Sequence, residues 1–106
     1  MKIDIRFISL DSSQTFREHA CRQLHLRLGR FASEISDIIV RVTDVNGPRG
    51  GLDKRCQVTI RGPKLGDVSV EELREDVYAA ADSAVERAGR AVGRALERAR
   101  AANRFA

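Results

Sequence analysis

From Lys2 to Phe7 apolar and charged residues alternate. Ile3, Ile5 and Phe7 fall on one side and Lys2, Asp4 and Arg6 on the other, the period of a half-buried strand. After Asp11-Ser12-Ser13, a cluster rich in N-cap oxygens, the period lengthens. Phe16, Ala20, Leu24, Leu28 and Phe31 recur at three- and four-residue spacing, which predicts an amphipathic helix ending near Gly29 or Arg30. The β-branched stretches 38–45 and 55–61 read as two strands of a hairpin with a long tip at 46–51. Gly62-Pro63-Lys64-Leu65-Gly66 then turns the chain into a short strand around Asp67 to Val70. Asp76 is placed to cap a last helix, Val77 to about Ala102, along which Val77, Ala81, Ala84, Val85, Ala88, Val92, Ala95, Leu96 and Ala99 mark one face.

The predicted order is therefore βαβββα. Only one side of each strand is apolar, so both helices must cover the same face of a four-stranded mixed sheet, an α+β domain. The first and second strands should be parallel across a right-handed crossover, and the remaining neighbours antiparallel hairpins. At 106 residues the chain is expected to be a single domain. It contains no apolar run of the ~18 residues a membrane span needs and no secretory leader, which points to a cytoplasmic home. Cys21 and Cys56, with no CxxC spacing, are expected to be free thiols.

Charge changes the picture more than composition does. The net charge is +4, and sixteen of nineteen cations are arginines. Residues 12–30 and 77–106 each carry +3, while the rest of the chain holds nine cations against eleven anions. The positive charge thus belongs to the helices. At roughly 100° per residue, Arg87, Arg90, Arg94 and Arg98 fall within about 80° of one another, off the apolar stripe and on a different sector from Asp82, Glu86 and Glu97, although Glu86 and Arg90 have the i,i+4 spacing of a pair. That makes a cationic line ~16 Å long, several phosphate spacings of a nucleic acid. Against it stands the plainer reading that such arginines solubilise an alanine-rich helix.

The outward strand positions Asp4, Arg6, Arg41, Thr43, Arg55, Gln57, Thr59 and Arg61 include no aromatic residue. Stacking of bases on the sheet is excluded, leaving backbone and shape contacts. His19, Cys21 and His25 lack the further ligands of a metal site. No nucleophile–base pairing, P-loop or dinucleotide glycine pattern occurs, so an enzyme is not expected and no cofactor or small-molecule substrate is implied. Gly89 and Gly93 form a GxxxG whose interleaved Arg90 argues for packing inside the domain and against membrane pairing.

The run Glu75-Asp76-Val77-Tyr78-Ala79-Ala80-Ala81-Asp82, continuing to Arg90, resembles the second helix of the ribosome hibernation-promoting factors and ribosome-associated translation inhibitors. The first strand, the helix ending in Arg30-Phe31, the Val-Thr-Asp hairpin with Gly50-Gly51-Leu52-Asp53-Lys54, and the length extend the resemblance over nearly the whole chain. It implies a double-stranded-RNA-binding-domain-like fold that binds ribosomal RNA of the small subunit near the decoding centre, excludes mRNA and tRNA, and silences translation under stress or in stationary phase. Arg87, Arg90 and Arg94 stand at the family's basic positions. Arg98 completes the line, and Arg22 and Arg30 are chosen on the first helix because they project away from its apolar face.

Ala81, Ala88 and Gly89 depart from the family's Ile and Leu-Glu and leave a smaller core contribution. The sequence shows no C-terminal dimerisation domain, so a monomer off the ribosome is expected. An older description of the same family, as modulators of a sigma factor, keeps a second reading open: a protein-binding regulator using the exposed sheet face. A generic structured-RNA-binding module is a third.

Overall fold

The computed structural model describes residues 1–45 and 53–104. Its elements follow the order β1 (Lys2–Ile8), α1 (Gln14–Leu28), a 3-10 turn (Gly29–Glu34), β2 (Asp37–Asp44), β3 (Lys54–Gly62), β4 (Gly66–Arg74) and α2 (Val77–Arg104). The sheet runs β1-β2-β3-β4, with β1 parallel to β2 and the other neighbours antiparallel. This is the predicted βαβββα α+β architecture.

Three local outcomes depart from the periodicity reading. The chain does not leave α1 directly for β2 but winds through the 3-10 turn, where Phe31 sits half-buried. The fourth strand runs to Arg74, well beyond Val70, because Glu71 to Arg74 stay paired with β3 down to Arg74 opposite Lys54. The last helix runs slightly further than expected, to Arg104. The hairpin tip predicted at 46–51 lies outside the described residues.

Both helix starts are built as their sequences suggest. The Ser13 hydroxyl accepts from the Phe16 N–H at 3.2 Å, and the Asp76 carboxylate accepts from the Ala79 N–H at 3.0 Å, each occupying a backbone donor that the first helical turn leaves without a partner. One core joins Phe16, Ala20, Leu24 and Leu28 of α1 to Ile5, Ile38, Val40, Val42, Cys56, Val58 and Ile60 of the sheet and Ala80, Ala84, Val85, Ala88, Val92 and Leu96 of α2. Both helices therefore lie on one face. Phe7, Phe16, Tyr78 and His19 continue it as a chain of edge-to-face rings with centroids 5.1–5.7 Å apart.

The helices also touch each other. His19 Nε2 lies 2.7 Å from Asp82 Oδ1, Gly89 faces the Arg27 backbone, and Gly93 faces the Phe31 ring. These contacts advance together along both chains, so α1 and α2 run in the same direction. The GxxxG is used for packing inside the domain, as its arginine neighbours suggest.

One buried charge had no sequence signal. Asp53 is fully buried at the start of β3, where its carboxylate is 2.8 Å from Lys54 Nζ, with Asp44 3.5 Å from the same ammonium. The hydrogen bond to Asp53 holds the Lys54 ammonium above its usual range, outweighing partial burial, and the Asp44 and Asp53 charges act in the same sense. Cys56, wholly buried, has its thiol pushed up to about 12 by desolvation, and both cysteines are free.

Candidate nucleic-acid interface

The arginine line of α2 stands on the solvent side of a helix whose opposite side is alanine and valine in the core. Its four members differ in how they are held. Arg87 folds back toward β4, where Nη1 donates to the Glu71 carbonyl at 3.0 Å and to Glu72 Oε1 at 3.1 Å. Arg90 pairs with Glu86 at 2.8 Å, one turn earlier on the same helix, both groups being at least half exposed. Arg94 and Arg98 are exposed and make no ion pair with any described residue.

The line is therefore uneven. Its C-terminal half is unneutralised. Its N-terminal half is tied to carboxylates, one of them contributed by a strand that sequence spacing could not place beside Arg87.

Glu72 explains why Arg87 is drawn in. Its side chain is only 13% exposed, and it accepts from Arg74 at 2.9 Å as well as from Arg87. Burial works to raise its pKa, but hydrogen bonds from Arg87 and Ser83 and the Arg74 charge together hold the carboxyl below its usual range. Arg74 also donates to the Ser83 hydroxyl at 3.0 Å, so β4 is latched to α2 by a small polar cluster.

Of the two arginines selected on the first helix, Arg22 lies on α1 and Arg30 in the 3-10 turn that follows it, and both are exposed. Arg22 makes no ion pair with any described residue, and the Arg30 guanidinium lies over the Phe31 ring, 4.6 Å from its centroid. Stacking leaves the edge donors of that guanidinium open to an acceptor. With Gly93 facing α1, Arg94 and Arg98 sit about 100° and 140° round the α2 axis from that contact. The open cations thus lie on the outer surface of the helical layer and beyond its β4-side flank. Leu26, 73% exposed between Arg22 and Arg30, is the one large apolar side chain on this outer surface of α1.

The histidines do not gather. His19 is engaged with Asp82, and His25 is exposed one turn and a half further along α1. Among the described residues no group of three or more His, Cys, Asp or Glu side chains is placed to hold a metal ion, and no helix is long and apolar enough to cross a membrane.

A basic helical layer on one face of a βαβββα sheet defines a small α+β domain. The chain belongs to the family described as Sigma 54 modulation protein / S30EA ribosomal protein, which matches residues 3–100. This is the hibernation-promoting factor family that the α2 sequence resembles. Among solved structures, the Thermus thermophilus Protein Y N-terminal domain is 28% identical, with a TM-score of 0.73 over 89% of this chain and 98% of that one. A ribosomal subunit interface protein from Coxiella burnetii has a TM-score of 0.75 at 21% identity, over 89% of this chain and 96% of that one, and shares the fold. A comparison with curated proteins gives no match.

Proposed function

We propose that this protein is a non-enzymatic, cytoplasmic translation inhibitor that binds ribosomal RNA of the small subunit near the decoding centre and excludes mRNA and tRNA by occupying their path. The observation that carries the reading is a group of arginines that are exposed and without carboxylate partners among the described residues, including Arg94 and Arg98 on α2 and Arg22 on α1, presented by a fold whose family is ribosome-associated. Arg30 adds a pre-stacked guanidinium. Guanidinium groups at fixed helical spacing suit a rigid backbone of phosphates, because their fork geometry matches phosphate oxygens and little side-chain order is lost on binding. Arg90, in an exposed pair worth little in water, exchanges Glu86 for a phosphate at small cost. Arg87 contributes less to binding than its position in the line suggests, since it is committed to Glu72. No cofactor takes part, and off the ribosome the protein is a monomer.

The test is co-sedimentation with isolated small and large subunits, together with release of labelled mRNA and tRNA from small subunits. Binding to the small subunit with displacement of both ligands is expected. Retention by the large subunit alone, or small-subunit binding that leaves mRNA and tRNA in place, would contradict the proposal.

A further inference from the structure

Among the described residues both outer strands of the sheet have an edge without a strand neighbour, and each edge has an arginine on one of its carbonyls. On β4 the Glu71 carbonyl accepts from Arg87. On β1 the Ile5 carbonyl accepts from Arg17 Nη1 at 3.1 Å, with the Arg17 guanidinium also lying over the Phe7 ring at 4.9 Å. Such an edge is a template for another strand unless something occupies it.

The two edges differ in what they would pair with. Pairing β4 with a second β4 about Ser69 or Glu71 sets Asp67 against Glu71 or Glu71 against itself, so both of those registers place like charges opposite each other. β1 is different. The Lys2 N–H points to β2, where it bonds the Ser36 carbonyl at 3.2 Å, so by strand alternation Ile3, Ile5 and Phe7 turn their N–H and C=O groups to the open edge. An antiparallel second copy centred on Ile5 brings Ile3 opposite Phe7 and Ile5 opposite Ile5, all three in the hydrogen-bonded class of pair.

In that register Asp4 faces Arg6 of the other copy, twice, on the outer side of the sheet. At present Asp4 and Arg6 satisfy each other within the strand at 2.9 Å, both about half exposed, so the exchange requires only a change of partner. Beside the edge lies an open groove of about 280 Å³ lined by Ile3, Ile5, Gln14, Arg17, Glu18 and Cys21, and Arg17 is the residue that reaches from it to the strand.

We propose that the β1 edge is a self-complementary pairing site for a second copy of this chain, and that Arg17 is the gate that keeps it closed. The inference is independent of ribosome binding, since it concerns the purified protein alone. Withdrawing the guanidinium from the Ile5 carbonyl opens a continuous eight-stranded sheet across a two-fold axis.

Sedimentation equilibrium of the full chain tests it, with circular dichroism checking that each variant is folded. Arg17→Met keeps an apolar stem against Phe7 and removes the donor, and Arg17→Ala is the second variant should the first fold poorly. Either should tighten self-association roughly tenfold over the wild type, the effect of one charge-assisted hydrogen bond removed from the competing closed state. In the Arg17→Met background, Asp4→Arg or Arg6→Asp alone should reverse that gain by setting like charges opposite each other. The two together should restore it. Arg17 variants that associate no more than the wild type, or association indifferent to the charges at positions 4 and 6, would overturn the proposal.

Discussion

Arg87 and Arg94 stand two turns apart on one helical line and carry the same charge, yet their surroundings give them different work. Arg87 holds Glu72, which is largely buried, and truncating it leaves that carboxylate with one fewer donor. Arg87→Ala is expected to lower unfolding stability by about 0.5–1 kcal/mol, a modest figure because the guanidinium is itself half exposed and screened. The pH dependence follows from the lowered Glu72 pKa. Its contribution is complete above the ordinary carboxyl value of 4.5 and fades as pH falls through the lower folded-state value, so the acid limb of the stability curve should be shallower in Arg87→Ala. Urea unfolding across pH 2–6 reads both effects.

Lys54 has the opposite sign. Its raised pKa means a contribution that is complete below 10.5 and lost as pH rises through the folded-state value. Lys54→Met would strand the Asp53 carboxylate, fully buried, beside an apolar neighbour. A loss of stability at neutral pH, measured by urea unfolding, is the expected result, because the buried Asp53 carboxylate loses its cation.

At the level of elements, the parts most legible in the sequence were those where burial alone sets the pattern. Ile38 to Val42 and Cys56 to Ile60 alternate toward one core and were readable as neighbouring strands. The second half of β4 was not, because Glu71 to Arg74 are held by pairing with β3 and by the Glu72 cluster, neither of which leaves an apolar period. The 3-10 turn after Leu28 leaves no signal of its own because its apolar residue, Phe31, continues the α1 spacing. The stripe of arginines was visible from helical geometry. The Arg90–Glu86 pair was visible too, as an i,i+4 spacing, but the capture of Arg87 was not, since the carboxylate that holds it lies fifteen residues away on a strand.

The glycines separate the same two kinds of constraint. A Cβ at Gly93 would meet only the Phe31 ring, at an ordinary 3.7 Å, so Gly93→Ala should raise stability by about 1 kcal/mol through helix propensity. A Cβ at Gly62 would overlap the Glu34 carbonyl oxygen, a backbone atom that cannot easily move, and Gly62→Ala should cost about 3 kcal/mol. Thermal or urea denaturation of the two variants distinguishes a glycine that is merely permitted from one that is required.

Over the whole molecule, α2 sets the long dimension, and the protein extends 53 Å along one axis against 22 and 18 Å across. The open cations lie on the helical side of this rod. The opposite sheet face is more nearly balanced: Arg6, Arg55 and Arg61 each have an acidic neighbour, in Asp4, Glu71 and Asp67. Association governed by the helical side should therefore be strongly salt-dependent, because each phosphate contact releases counterions.

The central claim is that Arg94 and Arg98 meet phosphates. Affinity for purified small ribosomal subunits, measured over a series of monovalent salt concentrations, should give a steep log–log slope for the wild type, reduced by about two in Arg94→Ala/Arg98→Ala and nearly unaltered in Arg87→Ala. An unchanged slope in the double variant would contradict the account.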